Sequence, residues 1–303
     1  MLQALPGTPF SFAVIPALQY GKVPDVAPWL EPLYLDMLCP FPLPTTPAAA
    51  IIYLHGGGWS AGERSEAMYP WLNPLLAAHG FITVSVTYRL SGQATFPAQI
   101  HDVKAAVRWL RANAEQYHID PERIGVWGDS AGGHLAALLG LTADIAILEG
   151  NCGSPEYSSR IQAVVTRSAP YNFLSTGGLM INDASSPVTQ LFGGTVNEHK
   201  DHMRLASPLF HVSSGAPPFQ IVHGTLDETV PFEQAEQFVT ALEAAGNGIE
   251  FLPIQNVYHN LCANELQPWS DKPWEELGWR ALAFFQQHLR PEVKDSVKDS
   301  VIV

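Results

Sequence analysis

Cysteine is nearly absent: Cys39, Cys152 and Cys262 are the three in a chain of 303 residues. Their odd number and wide spacing fit free thiols in a reducing compartment better than a disulfide framework, with a Cys152–Cys262 bridge left open. Positive charge is scarce as well. Lys and Arg total 16 against 29 Asp and Glu, a net charge of −13. Phosphate backbones demand a basic face, so no nucleic-acid partner is expected. Long apolar runs are missing: none approaches the ~20 residues that cross a bilayer, so no membrane partner is expected. The opening MLQALPGTPFSFAVIP carries no basic n-region, and Pro6, Gly7 and Pro9 interrupt it. No export signal is read there, and the expected location is the cytoplasm.

What is present is a globular composition, 47% hydrophobic and 15% charged, long enough for one large core. Short β-type runs alternate with helical patterns. Strands are read at 30–38, 48–55, 81–88, 124–127, 161–169, 219–223 and 249–257, with Pro40, Pro42, Pro44 and Pro47 marking a turn after the first. Helices are read at 99–117, from Ala131 onward, at 232–245 and through His288. In the first, Ile100, Val103, Val107, Leu110, Ala114 and Tyr117 share one face. Such alternation implies an α/β fold, a mostly parallel central sheet with helices on both faces. The expected organisation is one catalytic domain over 1–290, a lid-like or binding-loop insertion at 171–216, and a flexible tail at 291–303.

RIGVWGDSAGGHLAALLG, Arg123–Gly140, puts a serine between Gly128 and Gly132 where a strand turns into a helix. GDSAG fits G-x-S-x-G, a tight turn that lifts a nucleophilic hydroxyl above a sheet edge. The helix starting at Ala131 adds free N–H groups beside Ser130. Upstream, IIYLHGGGWS places consecutive glycines after a strand, where backbone amides can face a transient oxyanion. Gly57, Gly58 and Ala131 are the assigned donors. A phosphate-binding loop is the alternative, but G-x-G-x-x-G and GK[ST] are both missing.

A serine hydroxyl needs a base, and the base needs an acid to orient it. HGTLDETVP offers Asp227 just past one strand, and NVYHN offers His259 just past another. Ser130, Asp227 and His259 then share the carboxyl edge of the sheet. Glu228 is the rival acid. His55, His134 and His223 read as packing or bracing residues, and His199 and His202 as a polar face rather than a metal site, so no metal or cofactor is expected. Trp59, Tyr88 and Tyr171 are chosen as substrate-pocket residues from a set that also holds Phe96, Phe173 and Trp269.

These motifs resemble the α/β-hydrolase superfamily. HGGGW, VSVTYRL and DPERIGVWGDSAGGHLAAL resemble the hormone-sensitive-lipase-like esterases. HGTLDETVPFEQAEQFVTALEAAG resembles the acid loop of prolyl-oligopeptidase-like hydrolases. The stretch from about residue 30 to 290 is similar to the bifunctional feruloyl/acetyl-xylan esterases, with Asn260 where such esterases commonly carry glycine after the histidine. The resemblance implies Ser130, Asp227 and His259 as triad, the HGGG amides as oxyanion hole, and no cofactor. The expectation is a serine carboxylesterase acting on a small-molecule ester with a short acyl chain, including acetyl or feruloyl esters of carbohydrates. An amidase or peptidase, and a non-catalytic receptor, are the alternatives, and a homo-oligomer stays open.

Overall fold

AAAIIYL at 48–54 is apolar throughout, with no polar alternation to face solvent. In the computed structural model every one of these residues is buried, as in a strand covered on both faces. The structure describes residues 2–4, 9–23, 33–65, 72–175, 183, 185–261 and 273–289. In chain order these form β1 (Leu2–Ala4), β2 (Ser11–Gly21), β3 (Leu33–Phe41), β4 (Ala48–Leu54), α1 (Leu72–Ala77), β5 (Ile82–Val86), α2 (Ala98–Ala112), α3 (Ala114–Tyr117), β6 (Ile119–Asp129) and α4 (Ala131–Leu141). They continue with β7 (Ala163–Arg167), α5 (Pro187–Phe192), α6 (Val196–Ala206), β8 (Phe219–Gly224), α7 (Glu233–Ala244), β9 (Ile249–Ile254) and α8 (Pro273–Leu289).

The strands make one nine-stranded sheet ordered β1-β2-β3-β5-β4-β6-β7-β8-β9. From β5 to β9 all neighbours are parallel, and β1, β2 and β3 join antiparallel at one side. Both faces are covered. One apolar layer includes Val103, Leu138 and Phe238 from α2, α4 and α7, and the other includes Leu76, Leu277 and Phe285 from α1 and α8. The mostly parallel, doubly covered sheet is the architecture implied by the sequence. Because the parallel strands β4, β6, β8 and β9 all point the same way, the loops after them gather on one edge.

Several elements differ from the sequence reading. β2 carries no strict alternation, since it is a half-exposed antiparallel strand with a register shift between Ile15 and Leu18. β3 runs on through Pro40, read as a turn. Its pairing with β5 ends at Leu38, so beyond that point one flank has no ladder for a missing N–H to interrupt. The helix read as 99–117 breaks at Asn113, and His118 closes the short α3 in the left-handed region at φ 58°. The segment 171–216 holds α5 and α6. The expected tail at 291–303, Cys262 and Trp269 lie outside the described residues.

Candidate active site

The elbow forms because two glycines let three backbones meet. A Cβ on Gly128 would stand 2.4 Å from the carbonyl oxygen of Gly132, and one on Gly132 only 2.1 Å from that of Leu54. Ser130 sits between them at φ 52°, ψ −116°, a conformation a side chain adopts at a cost of about 1–3 kcal/mol. The surroundings hold it there. Its N–H donates to the Arg167 carbonyl at 2.8 Å, and its carbonyl accepts from the His134 N–H at 2.9 Å. α4 begins at the next residue, so the N–H of Ala131 is among those with no partner inside the helix.

The turns after β8 and β9 bring the other two groups to Ser130. Asp227 is buried, and its Oδ1 accepts the N–H groups of Thr229 at 3.0 Å and Val230 at 2.8 Å. His259 has its carbonyl fixed by the Ser168 hydroxyl at 2.8 Å. Its Nδ1 lies 2.8 Å from Asp227 Oδ2 and its Nε2 3.0 Å from Ser130 Oγ. A carboxylate only accepts, so Nδ1 carries the proton and Nε2 faces the hydroxyl as acceptor. Burial by itself raises the Asp227 pKa, but hydrogen bonds from His223 and His259 outweigh it and hold the carboxyl below its ordinary range. Asp227 is therefore ionised at neutral pH.

The loop after β4 takes three successive residues with positive φ, Gly57 at 105°, Gly58 at 58° and Trp59 at 57°. The Gly57 carbonyl accepts from the N–H groups of Ser60 and Ala61 at 3.1 and 3.0 Å, closing a tight turn. Trp59 pays for the left-handed backbone through its side chain. The indole Nε1–H donates to His134 Nδ1 at 3.1 Å, and the same ring's Nε2 lies 2.7 Å from the Ala206 carbonyl at the end of α6. Two neighbours that fix opposite roles make His134 a neutral ring with its proton on Nε2. Burial pushes its pKa down to about 4 against the partial support of the Ala206 bond. His55 is stacked on Tyr88 at 4.3 Å, and the Tyr88 hydroxyl donates to the His55 carbonyl at 2.8 Å.

A cleft of ≈ 350 Å³ opens on Ser130, lined by Gly58, Trp59, Pro170, Pro187, Val188 and Val230, with Ser186, Glu228 and Thr229 at its polar parts. Trp59 lines it. Tyr88 and Tyr171 do not, which corrects their choice as pocket residues. Tyr88 braces the loop from behind through His55. Tyr171 is fully buried, its hydroxyl 2.7 Å from Thr166 Oγ1 and its ring stacked on Phe238 at 4.2 Å. Aromatic residues near a motif are more often core than lining, and here the core claimed both. Phe173 touches the site only indirectly, edge-on to Trp59 at 5.6 Å. Glu228 is exposed at the cleft, whereas Asp227 is the carboxylate on His259. Sequence reasoning missed Ser186, Pro187 and Val188. SSPVTQLF carries a readable helix start, with Ser186 accepting from the Val188 N–H and Pro187 in the first turn. Nothing in it says that this start lies over Ser130.

A larger cavity, ≈ 450 Å³, lies between Gly140, Asp144, Arg160 and 213–217. Among the described residues it brings no histidine to Ser213 or Ser214, and Asp144 there is ion-paired with Arg160, whereas the smaller cleft opens on Ser130 with His259 at its hydroxyl. His199 and His202 stack at 5.8 Å, and among the described residues no three metal-ligating side chains converge. No helix among them is long and apolar enough to cross a membrane.

The chain is similar to known proteins over most of its described length. It is 35% identical to Esterase LipC of Mycobacterium tuberculosis over 228 residues, 72% of this chain and 54% of that one. The chain spans about half the length of the curated relatives it matches. Among solved structures, a truncated carbohydrate esterase from gut microbiota superposes with a TM-score of 0.76 at 29% identity, covering 95% of this chain and 99% of that one. Esterase 2 of the planctomycete Thermogutta terrifontis with propionate bound superposes at 0.69 and 27% identity, covering 94% and 97%. The sheet order and the loops on its carboxyl edge are those of the α/β-hydrolase fold. The model of the BD-FAE family matches residues 35–242, and the chain belongs to that family.

Proposed function

We propose that the chain is a cofactor-free serine carboxylesterase that cleaves short acyl esters through an acyl-enzyme. The observation that carries this reading is the line Ser130 Oγ, His259, Asp227, at 3.0 and 2.8 Å, beneath a glycine loop with left-handed backbone. His259 Nε2 takes the Ser130 proton as Oγ bonds to the acyl carbon, and Asp227 stabilises the imidazolium that results. The negative charge that collects on the carbonyl oxygen meets the N–H groups of Gly57, Gly58 and Ala131. Each such donor lowers the barrier by roughly 3 kcal/mol. The imidazolium protonates the leaving alcohol, and the acyl group stays on Oγ. Water, deprotonated by His259, then releases the acid and restores Ser130.

The apolar walls from Trp59, Pro187, Val188 and Val230 favour a small acyl group. The relatives add weight, since one is named a carbohydrate esterase and another holds propionate. We take acetylated or feruloylated carbohydrate fragments as the natural substrate class, and the helices of 171–216 as the lid-like wall. The test is hydrolysis of p-nitrophenyl esters from acetate to palmitate by the wild type and Ser130→Ala, followed by acetylated and feruloylated sugars. Turnover peaking at short chains and vanishing in the variant is the expected result. A folded wild type that turns over no ester would overturn the proposal and move amides to the front.

A further inference from the structure

The proposed mechanism leaves a second histidine beside the acid unused. His223 sits near the end of β8, four residues before Asp227, and is fully buried. Its Nε2 lies 2.9 Å from the Val230 carbonyl and 3.1 Å from Asp227 Oδ2. Both neighbours only accept, so Nε2 must carry a proton and stands between them. Nδ1 is buried with no partner among the described residues. Nε2 is therefore the ring's one engaged donor. Asp227 Oδ2 receives His223 from one side and His259 from the other, while Oδ1 takes the two backbone N–H groups.

We propose that His223 is a positioning residue that sets the basicity of His259 through Asp227. This rests on the triad reading above. A donor on Oδ2 spreads the carboxylate charge and holds the oxygen at the height His259 Nδ1 needs. Without it, more charge stays on the oxygen that faces His259, and the imidazolium is better stabilised. The pKa of His259 then rises. The other ionisable groups around Asp227 do not take this role. Glu228 on the same turn is exposed to the cleft, Glu233 and Glu236 in the first turn of α7 are exposed, and Asp129 lies one residue before Ser130 on β6. The ring also contacts Phe232, edge-on at 6.0 Å, which carries no charge.

The test is the pH profile of kcat/KM with p-nitrophenyl acetate for the wild type, His223→Phe and His223→Gln. The acid limb reports the free-enzyme base. In His223→Phe it should move upward by roughly half a unit or more, with kcat/KM lower by roughly ten- to a hundred-fold from the loosened geometry. His223→Gln can place an amide N–H where Nε2 stands and should return the limb toward the wild-type position. A His223→Phe profile superimposable on the wild type in pH, whatever its height, would overturn the proposal and leave His223 as packing. Should His223→Phe fail to fold, His223→Asn against His223→Gln gives the same comparison, because the shorter amide cannot reach Oδ2. NMR titration of the His259 ring in the same variants reads the shift without turnover, so a wild type inactive on esters would sink the esterase reading and still decide the role of His223.

Discussion

Lowering the pH should unfasten this protein at His134. The ring is buried between the Trp59 indole and the Ala206 carbonyl, and its pKa is pushed from 6.5 to about 4. Between those values the unfolded chain binds a proton that the folded chain refuses. Stability contributed by the neutral ring is full above pH 6.5 and is lost as the pH falls to about 4. A gap of about 2.5 units at 1.36 kcal/mol each amounts to about 3 kcal/mol, of which about 2–3 kcal/mol should be gone by pH 4.5. Burial also lowers the pKa values of His55, His101 and His211, so the wild-type curve falls more steeply than one residue explains. His134→Gln isolates the single contribution. Its side-chain oxygen can accept from Trp59 and its amide can donate to Ala206, with nothing left to titrate. Urea unfolding followed by intrinsic fluorescence from pH 7 to 4.5 should show the wild type losing about 2–3 kcal/mol relative to the variant as the pH falls. Curves that stay parallel to within about 0.5 kcal/mol, near the limit of the extrapolation, would refute the argument.

Two further outcomes follow from the cleft. Gly58→Ala adds a Cβ 2.9 Å from Pro187 Cβ at a backbone φ of 58°, and should lower kcat on p-nitrophenyl acetate at least about tenfold with KM changed less, because the displaced amide is one of those proposed to serve the transition state. Glu228→Gln removes the charged side chain lining the cleft. It should raise kcat/KM for mono-p-nitrophenyl succinate relative to the acetate by roughly two- to five-fold at low salt, with the preference fading as salt is added. An unchanged ratio would show that the carboxylate lies outside the field of the bound acid.

How far the sequence could be read depended on how locally each feature is determined. The elbow was legible because its requirement is local: Gly128 and Gly132 are fixed by contacts within a few residues and one neighbouring strand. β4 and the 124–127 part of β6 were legible because a buried parallel stretch is apolar without interruption, whereas the polar, partly exposed start of β6 at 119–123 was not. β2 was not, since an antiparallel strand with intermediate burial and a register shift has no period to show. α1 was missed for a related reason, having only six residues with Pro74 inside. The meeting of Ser130, His259 and Asp227 could be expected from strand ends, since each follows a parallel strand. The opposite wall could not. Pro187 and Val188 reach the cleft through a segment whose path depends on packing far along the chain, and Tyr171 left the expected pocket because Phe238 and Thr166 offered its ring and hydroxyl a better place.

The contact between Gly58 and Pro187 also constrains how this protein can be altered. The glycine belongs to the loop proposed to hold the oxyanion, and the proline to the wall that would select the acyl group. They stand so close that not even a methyl group fits between them. Selectivity and turnover are then inherited together rather than tuned apart. A loop graft from a relative that brings a new 186–188 wall but leaves the resident 55–60 turn would create a mismatched hybrid. The transplantable unit is the pair, with His134 as the strut joining Trp59 on the loop to Ala206 at the end of α6.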